Sequence, residues 1–229
     1  MNRKFAIFTC AMTLVAGTML SQAADVLDRI VATVNGHIIL QSDWDAAVRY
    51  AALVDARSLD QLSTKDRKAA LDGLIDQELL QEQMGSSEVQ HATSEEVTQR
   101  ILEIRQQYTG TRDDQAWQNL LGGYGLTERE LEQHVALQLD LLRLVDARFR
   151  PGVDIDAQSI ESYYNQELLP QLRQSGAREV ALAEASPQIK ELLTQQKVNE
   201  LLVAWLQNLR SGSEIQTEAS PTDFRDGSQ

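Results

Sequence analysis

The residues with the widest chemical range are three histidines, His37, His91 and His134. They fall in a predicted hairpin, a loop and a helix, without the spacing of metal ligands. His134 follows Glu130 by four residues. That is neither an H-E-x-x-H pair nor the E-x-x-H of carboxylate-bridged metal sites. Surface or turn positions are expected for all three. The adjacent acids Glu95-Glu96 and Asp113-Asp114 read as helix-start charges, which the positive end of a helix dipole favours. Gly122-Gly123-Tyr124-Gly125 lacks the preceding strand and the lysine of a phosphate-binding loop. No Ser/His/Asp set can be argued. These residues therefore predict no catalysis, no metal and no cofactor.

Large side chains with polar tips suit the rim of a binding groove. Trp44, Tyr50, Trp117, Tyr124, Tyr163, Tyr164 and Trp205 are of this kind. Core packing is the competing reading for each, and Trp205, on a helical stripe, is expected in the core. Trp117 and Tyr124 flank the glycine-rich turn and are expected to form an exposed apolar lip. Met84 is the one methionine beyond the leader, so a methionine-rich adaptable surface is excluded.

These residues need a scaffold, and the pattern predicts a mainly α one. Ile30–Val34 and His37–Leu40 are β-branched runs around Asn35-Gly36, the signature of a type I′ hairpin. Two strands alone are marginal, and residues 213–217 can add a third. Ser42 can cap a helix over 43–54. Lys65 to Met84 is amphipathic, with Leu71, Leu74, Ile75, Leu79 and Met84 on one stripe. Thr93-Ser94-Glu95-Glu96 and Thr127-Glu128-Arg129-Glu130 are capping boxes. The first opens a helix to about Tyr108. The second opens a long central helix to Phe149, apolar through Leu131, Val135, Leu142, Val145 and Phe149 on one side and Leu137, Leu141 and Leu144 on another. A short helix over 113–121 should end at Gly122-Gly123. Asp156 caps the next helix, which Pro170 breaks or kinks. Ser186-Pro187 reads as the N-cap and first residue of a last helix to Arg210.

The first residues read as an export leader: Arg3 and Lys4, a diluted apolar run from Phe5 to Leu20, then Ser21-Gln22-Ala23 as a cleavage site. Residues 1–23 are thus assigned as a signal peptide and 24–150 as a helical domain with its hairpin. Residues 151–217 are assigned to a C-terminal helical segment and 218–229 to a disordered tail. The only cysteine, Cys10, lies in the leader, so an ordinary hydrophobic core must hold the fold. The net charge is −13. Such a surface repels phosphate backbones and anionic lipid, which argues against nucleic acid and membrane as partners. No stable membrane insertion is expected once the leader is gone.

The run from Val26 to Asp43, with Asp28-Arg29-Ile30-Val31-Ala32-Thr33-Val34-Asn35 and then Ser42-Asp43, resembles the opening of the SurA/PpiD family of periplasmic folding factors. Ala70 to Leu80 is similar to that family's next helix. Lys190 to Arg210 followed by Ile215 resembles its closing helix and last strand. Such proteins usually carry parvulin prolyl-isomerase modules between these halves. Residues 149–186 are too short for one and bring no paired histidines. The resemblance therefore implies a periplasmic chaperone without the isomerase, in which the last helix packs back on the first ones. It implies unfolded outer-membrane or secreted proteins as partners, and a homodimer is compatible with it. Client contacts are expected at Trp44, Tyr50, Met84, Trp117, Leu121 and Tyr124. Two alternatives stand beside it: a module docking one dedicated envelope or secretion partner, and an unrecognised enzyme.

Overall fold

The computed structural model describes residues 28–85, 90–111 and 113–218. The expected leader and the tail beyond Glu218 lie outside them. Strands β1 (Ile30–Val34) and β2 (His37–Leu40) form the expected hairpin. Asn35 and Gly36 both take positive φ, 49° and 88°, as a type I′ turn requires. The third strand, β3 (Ile215–Thr217), pairs antiparallel with β1, giving the order β2-β1-β3. Asn35 N–H donates to Glu214 O at 2.9 Å, and Glu218 N–H donates to Val31 O at 3.0 Å. Glu218, expected in the disordered tail, thus closes the ladder.

Helix α1 (Gln41–Val54) starts earlier than expected. Its N-cap is Leu40, whose N–H donates to the Asp43 carboxylate at 2.9 Å. Ser42 is no cap: its hydroxyl and N–H both turn to the carboxylate of Asp28. The helix ends with Ala56 at φ 50° and Arg57 N–H donating to Ala52 O at 2.9 Å. Left-handed backbone costs an alanine about 1–2 kcal/mol that glycine escapes. Ala56→Gly should therefore raise stability, by about 0.5–1 kcal/mol once the looser unfolded chain is counted. Urea unfolding checks this, and a loss of stability would refute it.

Helix α2 (Thr64–Met84) buries Leu71, Ile75, Leu79 and Leu80, with Leu74 and Met84 only half-buried. Helices α3 (Ser94–Gln106) and α5 (Glu128–Phe149) open on the two expected capping boxes. In them Glu96 and Glu130 accept the backbone N–H of Thr93 and Thr127, each at 2.7 Å. These bonds lower both glutamate pKa values. Helix α4 (Asp114–Gly123) is capped by Asp113. Gly122 and Gly123 lie inside it. Its reversal falls at Gly125, φ 66°, where a side chain would meet Arg49 at 3.5 Å. Helix α5 contacts α2, α3 and α8, so it is central. Its Leu142, expected inward, is 53% exposed.

Asp156 caps α6 (Ala157–Tyr163) as expected. Pro170 does not break the chain. A π-turn over Tyr164–Leu168 widens the helix just ahead of it and runs into α7 (Leu169–Ser175). The wider turn relieves the clash between the proline ring and the preceding carbonyls. Helix α8 (Leu182–Gly212) begins more than one turn before Ser186-Pro187. Leu182 is half-buried and Ala185 and Ile189 are buried on one face. That burial outweighs the local signal, and the Ser186 hydroxyl donates back to Leu182 O at 2.6 Å. Trp205 is half-buried, its ring edge on Phe149 at 5.5 Å and its face under Arg148 at 4.4 Å.

The interior falls into two clusters. The first joins the sheet to Trp44 and Val48 of α1 and to Leu71, Ile75 and Leu79 of α2, with Leu209 and Ile215 packed against it. The second joins Leu53 of α1 to α3, α4 and the first turns of α5. Arg210 of α8 donates to the Asp76 carboxylate at 2.6 Å and to Asp72 O at 2.8 Å, fastening α8 to α2.

Candidate functional site

Three of the six residues expected to meet clients are core. Trp44 is 0% exposed and its ring N–H donates to Arg67 O at 2.8 Å. Trp117 and Leu121 are each 1% exposed, one turn apart on the inner face of α4. The expected lip at Trp117 and Tyr124 is therefore absent. Tyr124 is half-buried, and its hydroxyl donates to Arg57 O at 2.9 Å. The neighbouring Tyr108 hydroxyl donates to Leu53 O at 2.5 Å. Each phenol has one proton to give, so both are committed to carbonyls near the end of α1. Burial pushes the Tyr108 phenol well above its ordinary pKa. These two tyrosines hold the fold rather than await a ligand.

Tyr50 differs. It stands on the face of α1 toward α5, its ring stacked on His134 at 4.9 Å and 20°. Its hydroxyl donates to Gln138 Oε1 at 2.7 Å. Burial raises the Tyr50 pKa and lowers that of His134, so the neutral imidazole is favoured near pH 7. Tyr50, His134 and Gln138 form one wall of an open groove of about 280 Å³ between α1, α2 and α5. Ala47, Ala70, Gly73 and Leu74 lie along it, and Leu80, Leu141, Asp76 and Gln77 complete the lining. This volume is just below the range of about 300–1,000 Å³ typical of small-ligand pockets. It suits apolar side chains laid in from outside.

The groove exists because the facing residues are small. Ala70 and Gly73 sit one turn apart on α2, where a leucine or methionine would fill the space. A Cβ built on Gly73 meets nothing within 4 Å. Of the expected contacts, only Tyr50 lines this groove. Met84 lies half-buried at the end of α2, outside it. The sequence reading missed His134, Gly73 and Ala47. The available signal was an Ala and a Gly at i, i+3 on the amphipathic helix α2.

His91 Nδ1 lies 2.7 Å from Asp140 of α5, which also accepts the Ala92 N–H at 2.6 Å. Arg143 donates to Gln90 O at 2.9 Å and to His91 O at 2.5 Å. This cluster ties the turn before α3 to α5. Among the described residues no three His, Cys, Asp or Glu side chains gather as metal ligands.

The model of the SurA-like N-terminal domain matches residues 3–145, more than half of the chain. The chain belongs to the SurA-like N-terminal domain family. The match runs from the expected leader through the hairpin and most of α5, so the groove lies wholly on matched elements. Helices α6 to α8 and β3 fall beyond it. Among curated proteins none matches the chain. Placement in a SurA-like family carries chaperone-type polypeptide binding as its general character. Among the described residues no helix is long and apolar enough to cross a membrane.

Proposed function

We propose that this SurA-like chain is a periplasmic holding chaperone that binds unfolded polypeptides in the groove between α1, α2 and α5 and catalyses nothing. Its clients are unfolded outer-membrane or secreted proteins, and export is directed by the leader ending at Ala23. The open groove with a small-residue floor and the Tyr50–His134 wall is the observation that carries this reading. An apolar client side chain buried there gains about 1.5–3 kcal/mol. Ordering of the client offsets part of that gain, so broad, weak binding follows. The acidic surface keeps loaded complexes apart in solution.

Gly73→Leu tests the groove. Leucine favours helix over glycine by close to 1 kcal/mol, and a Cβ at Gly73 meets nothing within 4 Å, which leaves the side chain the groove to extend into. The variant should unfold at the same or higher urea concentration, yet lose about tenfold in its ability to keep a urea-diluted outer-membrane protein from aggregating. Unchanged suppression by the variant would remove the groove from the function. A wild-type protein that suppresses no aggregation, or that turns over proline peptides above background, would remove the holdase reading itself.

A further inference from the structure

One carboxylate stands in the lining of the groove. Asp76 of α2 is among the lining residues, and apart from His134 the others are apolar, aromatic or amide. Burial favours the neutral imidazole of His134. Near pH 7 Asp76 is therefore the formal charge that the described lining presents. A carboxylate facing a client rejects acidic segments and selects basic ones. Broad binding of unfolded chains requires that this charge be answered from within the protein.

Arg210 answers it. Its Nε donates to Asp76 Oδ1 at 2.6 Å, and its Nη2 donates to Asp72 O at 2.8 Å. Asp72 and Asp76 are one turn apart on α2, so the guanidinium is gripped at two points. The Arg210 side chain is 32% exposed and that of Asp76 is 30% exposed. The pair is thus within reach of an incoming chain. Arg210 comes from α8, beyond the matched residues 3–145. The matched domain supplies the groove, and the segment after it supplies the counter-charge.

We propose that Arg210 is a specificity-determining residue of the groove: by masking Asp76 it makes the site select clients by apolar content and not by charge. This rests on the holding-chaperone reading of the groove and adds the class of client that the groove takes. Arg210 acts through Asp76, so it is a positioning residue. Without it the Asp76 carboxylate faces the client unanswered. A lysine beside the client's apolar side chains then gains a partner there, and an aspartate meets repulsion.

Fluorescence anisotropy of the full chain tests this, with end-capped, labelled nonapeptides of alternating leucine and threonine that differ only in a central glutamine, lysine or aspartate. Salt at about 0.15 M screens the distant part of the net charge of −13. The wild type should bind the peptides within about twofold of one another. Arg210→Met should favour the lysine peptide over the aspartate peptide by about tenfold. Adding Asp76→Asn to it should abolish that ranking, although α8 is held no better. Arg210→Lys, which keeps the charge without the planar fork, should restore most of the wild-type balance. Lys197→Met removes one positive charge elsewhere on α8 and should leave the balance unchanged. Peptides that bind but rank alike on wild type and Arg210→Met overturn the assignment of Arg210 alone. So does an equal loss of all peptides by Arg210→Met and the double variant, which would make Arg210 a plain brace. A wild type that binds none of the peptides overturns the groove reading, and this assignment with it.

Discussion

Replacing Trp44 by alanine should cost about 3–5 kcal/mol in urea unfolding. The indole is fully enclosed between the sheet, Val48 and the apolar face of α2. Its removal leaves a large void and strips Arg67 O of its side-chain donor, leaving only the helix bond. Whole domains are stable by about 5–15 kcal/mol, so this one change removes about a fifth of the total or more. Trp44→Phe keeps most of the apolar volume and forfeits only the N–H bond, and should fall in between. A loss below about 1 kcal/mol for the alanine variant would mean that Trp44 faces outward, as a client-contacting residue must.

Truncation before Leu182 should dismantle one core and spare the other. It removes Leu209 and Ile215 from the first cluster, the Arg210 bonds to α2 and the whole of β3. What is left of the sheet is a two-stranded hairpin, which is marginal in water. The second cluster takes nothing from α8. Hydrogen exchange should therefore lose protection at the amides of β1, that of Asn35 first, and in the adjoining turns of α1 and α2. The amides of α3 and of the first turns of α5 should keep theirs. Uniform protection after truncation would show that α8 merely rests on a finished domain. Uniform loss would show that the two clusters unfold as one.

Most local structure was legible because its causes are local. The Asn35-Gly36 turn, the boxes at Thr93 and Thr127 and the cap at Asp156 each depend on residues within four positions of one another. Errors arose where distant contacts decide. Ser186-Pro187 is a strong start signal, yet α8 begins earlier because Leu182 and Ala185 share a buried face with Ile189. Ser42 has the chemistry of a cap, but Asp28 occupies it. The site was less legible than the fold. Trp117 and Leu121 looked like a lip beside glycines, whereas their i, i+4 spacing marks an inward stripe on α4. Gln41, Trp44 and Val48 show the same inward phase on α1. The groove itself is written in Ala47, Ala70 and Gly73, small residues whose meaning depends on what faces them across the gap.

The central strand of the sheet lies near the start of the chain, and its second neighbour near the end. Asn35 and Glu214 are 179 residues apart and joined both through the backbone and through the Asn35 side chain. Contacts of that sequence separation form slowly, because a long loop must close before they repay it. A chain that emerges from its amino end holds β1 half-satisfied until helices α1 to α8 have followed and β3 arrives. Completion of the sheet thus waits on the arrival of β3, and until then the protein resembles the open, sticky chains it is proposed to guard.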